Sequence, residues 1–124
     1  MLVLDTNALM MPVECDLRLF EELERVAGDD DYAVPSAVAA ELEKLSDGAG
    51  EEATAAAVAR DLLERCRVVG TAAEYADDAV LELATRPEAS GAVTNDAPLR
   101  DRLLARGVPV IGLRGQNKLA ITQP

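Results

Sequence analysis

The chain has 124 residues, the length of one domain, and 49% of them are hydrophobic, enough for a real core. No stretch reaches the roughly 18 apolar residues of a membrane span; the start, Met1-Leu2-Val3-Leu4-Asp5, reads as a strand rather than a signal peptide, so a cytoplasmic protein with no membrane contact is expected. A net charge of −11 argues against a nucleic-acid partner held by broad basic patches.

The elements follow in chain order. Leu2–Asp5 is a short apolar run, read as a first buried strand. Residues 16–27 have helical spacing (Leu17, Phe20, Leu23, Val26) and stop at Gly28, before an exposed acidic turn at 29–31. Tyr32–Val34 is a second strand closed by Pro35, and Ser36 is expected to cap a helix running to Leu45. Gly48 and Gly50 break that helix, and Glu51–Cys66 forms a long Ala-rich one. Arg67–Val69 is a third strand, 76–85 a helix, Gly91–Thr94 a fourth strand, 97–106 a helix ended by Gly107, and 108–113 the last strand. Cys15 and Cys66 have no His to join them, since the chain has none, and are read as two buried thiols.

Short apolar strands alternating with helices predict a parallel sheet covered on both faces, in one domain over 1–124. Ligands of such sheets bind beyond the carboxyl ends of the strands, where the strand order reverses. Asp5 ends the first predicted strand and Asp96 follows the fourth, in Val93-Thr94-Asn95-Asp96. Each also reads as a helix N-cap or turn residue. Glu41 is three residues after Val38 and four before Leu45, which puts it on the inward stripe of its helix. A carboxylate there is costly unless it meets a cation or a donor. Asp77 and Asp78 open a helix whose inward residues are Ala76, Val80, Leu83 and Ala84. By helical angle Asp77 flanks that stripe, and Asp78 points away as a dipole partner, kept as the fallback for Asp77. Carboxylates gathered in one cleft need protons or a cation, and an all-oxygen set suits Mg²⁺ or Mn²⁺. Such ions stabilise charge on a phosphodiester and lower the pKa of an attacking water. They also bridge an acidic pocket to an acidic polymer.

The charge is uneven. Ten Arg stand against two Lys, and dispersed acids suit a protein of a high-salt cytoplasm. Residues 97–124 carry Arg100, Arg102, Arg106, Arg114 and Lys118 against Asp101 alone, a net of +4, while the other 96 residues hold −15. Arg100, Arg102, Arg114 and Lys118 are therefore the candidates for contact with a phosphate backbone.

Four stretches in this order resemble the PIN-domain nucleases: Val3-Leu4-Asp5-Thr6-Asn7, the run from Pro35 through Glu41 to Leu45, Tyr75-Ala76-Asp77-Asp78-Ala79, and Val93-Thr94-Asn95-Asp96. The continuation through Gly107-Val108-Pro109-Val110-Ile111 is most similar to the branch of ribosome-assembly endonucleases and their small archaeal relatives, with the VapC toxins more distant. The resemblance implies a three-layer α/β/α fold on a five-stranded parallel sheet. It also implies hydrolysis of RNA by a metal-activated water, in rRNA processing or RNA turnover. It assigns Asp5, Glu41, Asp77 and Asp96 to one or two Mg²⁺ or Mn²⁺ ions, with Asn7 and Thr94 orienting them. The same resemblance implies a homodimer and admits association with a ribosome or an antitoxin. The alternatives are a non-catalytic scaffold that binds RNA or protein, and a VapC-type toxin.

Overall fold

Leu2, Val3 and Leu4 are buried without alternation, the pattern of a strand covered on both faces, and they form β1 (Leu2–Leu4). Burying one such side chain is worth about 2 kcal/mol, which holds β1 at the centre of the sheet and fixes the position of the Asp5 that follows it. The computed structural model describes residues 1–28 and 31–124, so the expected turn at Asp29 and Asp30 lies outside the described residues.

The chain then enters α1 (Thr6–Glu14), a helix not expected from the sequence because Pro12 lies inside it. Proline has no N–H to give the preceding turn, and α1 stops two residues later. α2 (Leu19–Ala27) starts three residues later than expected, since Asp16 takes a left-handed φ of 49°, and it ends at Gly28 with φ 65°. β2 (Tyr32–Pro35) leads directly into α3 (Ser36–Ser46). Pro35 occupies the cap position and Ser36 is already helical, which corrects the expected serine cap. α4 (Gly50–Leu62) ends in a short 3-10 turn, and β3 (Arg67–Val69), α5 (Ala76–Ala84), β4 (Gly91–Val93), α6 (Ala97–Ala105) and β5 (Val110–Arg114) follow near their expected bounds. Cys15 and Cys66 are half-buried rather than fully buried.

The sheet order is β3-β2-β1-β4-β5-β6, in which β1 to β5 are parallel as expected. β6 (Lys118–Thr122) extends it antiparallel to β5, with Leu113 opposite Leu119. Its outer edge is managed by α2. The Leu119 N–H donates to Glu22 Oε1 (2.9 Å), and its carbonyl accepts from Arg25 (2.8 Å). α5 lies across β1, β2 and β4 beside α3 and α6, α1 packs against α4, and the architecture is a three-layer α/β/α. No helix among the described residues is long and apolar enough to cross a membrane. β1 and β4 are neighbours in space but not in sequence, so the crevice at their carboxyl ends is where the strand order reverses.

Candidate active site

Asp5 leaves β1 at this crevice and caps α1: its Oδ1 accepts from the Ala8 N–H at 2.7 Å. Its Oδ2 accepts from the Thr94 hydroxyl, and Asp5 is only 3% exposed. Thr94, itself buried, is the hub. Its N–H donates to Ile111 (3.0 Å), and its hydroxyl oxygen accepts from the Asp96 N–H (3.0 Å) while giving its proton to Asp5. Asp96 caps α6 by accepting from the Leu99 N–H at 2.9 Å. One threonine thus ties the carboxylate that follows β1 to the backbone N–H of Asp96, which follows β4.

Electrostatics add a third acid. Burial pushes Asp5 up from 3.8 to about 6, and the charges of Asp77 and Asp96 push the same way, against the hydrogen bonds from Thr94 and Ala8. Asp77 is raised too, first by partial burial and then by Asp96, with Arg102 opposing. Asp5, Asp77 and Asp96 therefore share one electrostatic neighbourhood. Asp78 also raises Asp77, as the smallest of its causes, but its own Oδ1 accepts from Arg102 at 2.8 Å in an ion pair between α5 and α6.

The remaining sequence candidates are dispersed. Glu41 is exposed on α3 while Val38 and Leu42 are buried, so the expected core-facing carboxylate is corrected to one at the border of the helix. Asn7 is exposed in the first turn of α1. Arg100 and Arg114 border a cavity of about 270 Å³ together with Thr94 and Asn95. Lys118 lines a different cavity with Asp16, Glu21 and Glu22, and Arg102 is engaged by Asp78. Among the described residues, no three carboxylate or thiol side chains approach closely enough to close an ion site by themselves.

Three supporting residues were not found from the sequence. Asn95 Oδ1 accepts from the Leu113 N–H at 2.8 Å and ties the β4 turn to β5. A Cβ on Gly112 would lie 2.9 Å from the Thr94 carbonyl, so only glycine permits that approach. Thr6, beside Asp5, keeps a buried hydroxyl without a hydrogen-bond partner among the described residues. Such a group costs about 1–3 kcal/mol and marks a place where stability is given up. The polar triplet Thr94-Asn95-Asp96 at a strand end was the available signal for Asn95.

A family model described as a PIN like domain matches residues 2–116. The chain belongs to that family. This PIN-like domain is 30% identical over 117 residues to Ribonuclease VapC4 of Methanocaldococcus jannaschii, covering 91% of this chain and 89% of that protein. Its structure is similar to that of the PIN domain endonuclease Utp24, with a TM-score of 0.79, 25% identity and coverage of 99% of this chain and 91% of the other. VapBC2 from Rickettsia felis, solved bound to a DNA fragment from its promoter, shares the fold at a TM-score of 0.65 and 16% identity, over 90% of this chain and 97% of that one.

Proposed function

We propose that this PIN-like domain is a divalent-metal-dependent endoribonuclease, with Asp5, Asp77 and Asp96 as the acidic set that holds Mg²⁺ or Mn²⁺. The observation that carries this reading is the buried Asp5 carboxylate at the β1–β4 crevice, hydrogen-bonded to Thr94 and raised first by burial and then by the charges of Asp77 and Asp96. The chemistry of the donor set fits such an ion, although the three carboxylates do not close a site by themselves. The set is all oxygen, and its members repel one another at neutral pH, a cost that a divalent cation removes. When bound, the ion would lower the pKa of an attacking water and offset charge on the phosphodiester.

The chain's own groups supply the rest. The Thr94 hydroxyl and the Ala8 N–H hold the Asp5 carboxylate in one orientation, and the Asp96 N–H fixes the Thr94 oxygen. Arg100 and Arg114, beside the cavity at Thr94, are suited to the backbone phosphates on the far side of the scissile bond. Glu41 is retained as the fourth acid, and Asn7 as an orienting group, on the strength of the resemblance. RNA is the substrate class because the relative of 30% identity is named a ribonuclease. The resemblance to the VapC toxins carries, as a second reading, a toxin-type ribonuclease held by an antitoxin, in place of rRNA processing or turnover. A homodimer and a cytoplasmic location belong to the same proposal.

The test is cleavage of single-stranded and structured RNA with Mn²⁺, Mg²⁺ or EDTA. Cleavage is expected with either metal and not in EDTA. Asp5→Asn is expected to lose at least about 100-fold, more than the about 10–100-fold typical of an outer partner such as Thr94→Val. Asp77→Asn should lose far more than Asp78→Asn. Near-normal cleavage by a folded Asp5→Asn protein, or full activity in EDTA, would remove the mechanism.

A further inference from the structure

The chain has one Phe, two Tyr and no Trp. Two of these three aromatics do core work: Phe20 and Tyr32 are buried with their ring centroids 5.0 Å apart. Tyr75 is 77% exposed. It is the cap residue of α5, two positions before Asp77, and so opens the helix whose first turn brings Asp77 under the influence of Asp96.

Its backbone is braced from several sides. The Glu82 carboxylate accepts from the N–H groups of both Ala72 and Ala73 at 3.0 Å. Arg86 links Glu82 (3.1 Å) to the Gly70 carbonyl (3.4 Å), and the Thr71 hydroxyl donates to the Ala73 carbonyl at 3.0 Å. The Tyr75 carbonyl accepts from the Ala79 N–H at 2.9 Å. The backbone that leads into Tyr75 is therefore held in place, and its exposed ring is open to a flat partner.

The net charge narrows the choice of partner. A protein at −11 gains little from a polyanion by phosphate attraction alone. Stacking on a nucleobase needs no positive charge, tolerates any base and survives salt. We propose that Tyr75 is a stacking platform for an unpaired nucleobase of RNA, beside the phosphate presented to Asp5, Asp77 and Asp96. The inference rests on the ribonuclease reading of that site.

The experiment measures binding in an Asp5→Asn background, so that RNA is not consumed, by fluorescence anisotropy of oligoadenylate and of an abasic ribose-phosphate of equal length. Tyr75→Ala is expected to weaken oligoadenylate binding by about 5- to 150-fold, the range of one stacked base, and Tyr75→Phe by no more than about twofold. Binding of the abasic polymer should be the same in all three proteins. The Tyr75→Ala effect should keep the same ratio from low to high KCl, since stacking releases no counterions. Unchanged oligoadenylate affinity in Tyr75→Ala overturns the proposal. So does an equal loss on the abasic polymer, or a loss that tracks a fall in sedimentation mass, because both assign Tyr75 to contact between protein copies. If the parent protein binds neither polymer, the ribonuclease reading itself fails, a result distinct from a parent that binds and a Tyr75→Ala variant that matches it.

Discussion

Asp5 serves as a helix cap and as the most buried acid of the crevice, and the two duties leave opposite marks on stability. Its acid is raised from 3.8 to about 6, so the folded protein holds a proton more tightly than the unfolded chain does. Stability is therefore fully present below about pH 4, falls as pH rises toward 6, and levels off above it. The gap corresponds to about 3 kcal/mol at neutral pH. Asp5→Asn keeps an oxygen for the Ala8 N–H and removes the charge. In EDTA it is expected to melt higher than wild type at pH 7–8 and no higher at pH 4. Mn²⁺ should raise the wild-type Tm more than that of the variant. A difference in Tm that does not change with pH would show that ionisation of Asp5 is not what limits stability. The same double duty explains why the sequence left two readings at Asp5 and Asp96. The cap reading holds at both, since each spends one oxygen on an N–H three residues ahead, and that use does not preclude the other. Val38 and Leu42 are buried and Leu45 half-buried, yet Glu41 beside them is exposed, so the inward placement expected of it does not hold.

At the level of elements, β1, β2 and β4 were legible because continuous burial needs continuous apolar runs. The two elements missed fail that pattern for physical reasons. α1 carries Pro12, and β6 is a short edge strand with Lys118 and Thr122 at its ends. The signal for β6 was a hairpin: two runs of matched length around Gly115, which takes φ 75°. Its place depends on α2, where the Glu22–Arg25 pair receives both polar groups of Leu119. Glu22 is lowered from 4.5 to about 2, first by its hydrogen bond with Arg25 and then by the Leu119 N–H. A depressed acid contributes stability above about pH 4.5 and loses it as pH falls through 2. Glu22→Ala removes the acceptor from the strand edge. Amide exchange at Leu119 is expected to speed up by about tenfold at neutral pH, with β1 and β4 amides unchanged, as read by NMR. Equal acceleration across the sheet would mean that the pair supports the whole fold rather than this edge.

Over the whole molecule, the basic tally at residues 97–124 was visible in the sequence, but its distribution in space was not. Sequence counts Arg100, Arg102, Arg114 and Lys118 alike. The fold divides them, because β5 and β6 run in opposite directions and α6 lies against α5. Arg102 is spent on Asp78, and Lys118 stands in a cavity with Asp16, Glu21 and Glu22. Of the four, Arg100 and Arg114 share the cavity at Thr94, with Arg100 also meeting Asp101 at 3.4 Å. In a chain of net charge −11, two arginines at the β4–β5 cavity make a local positive spot rather than a basic surface. Each phosphate contact to a single strand contributes about 0.7 to the slope of log affinity against log salt. Replacing both Arg100 and Arg114 with Ala is therefore expected to flatten the slope for single-stranded RNA by about 1.4, and to weaken binding of all sequences alike. Lys118→Ala should change the slope by less than half as much, since its neighbours already offset its charge. Titrations of Asp5→Asn protein across a range of KCl concentrations measure both. A larger change for Lys118→Ala than for the arginine pair would move the RNA path from the β4–β5 cavity to the α2 side of β6.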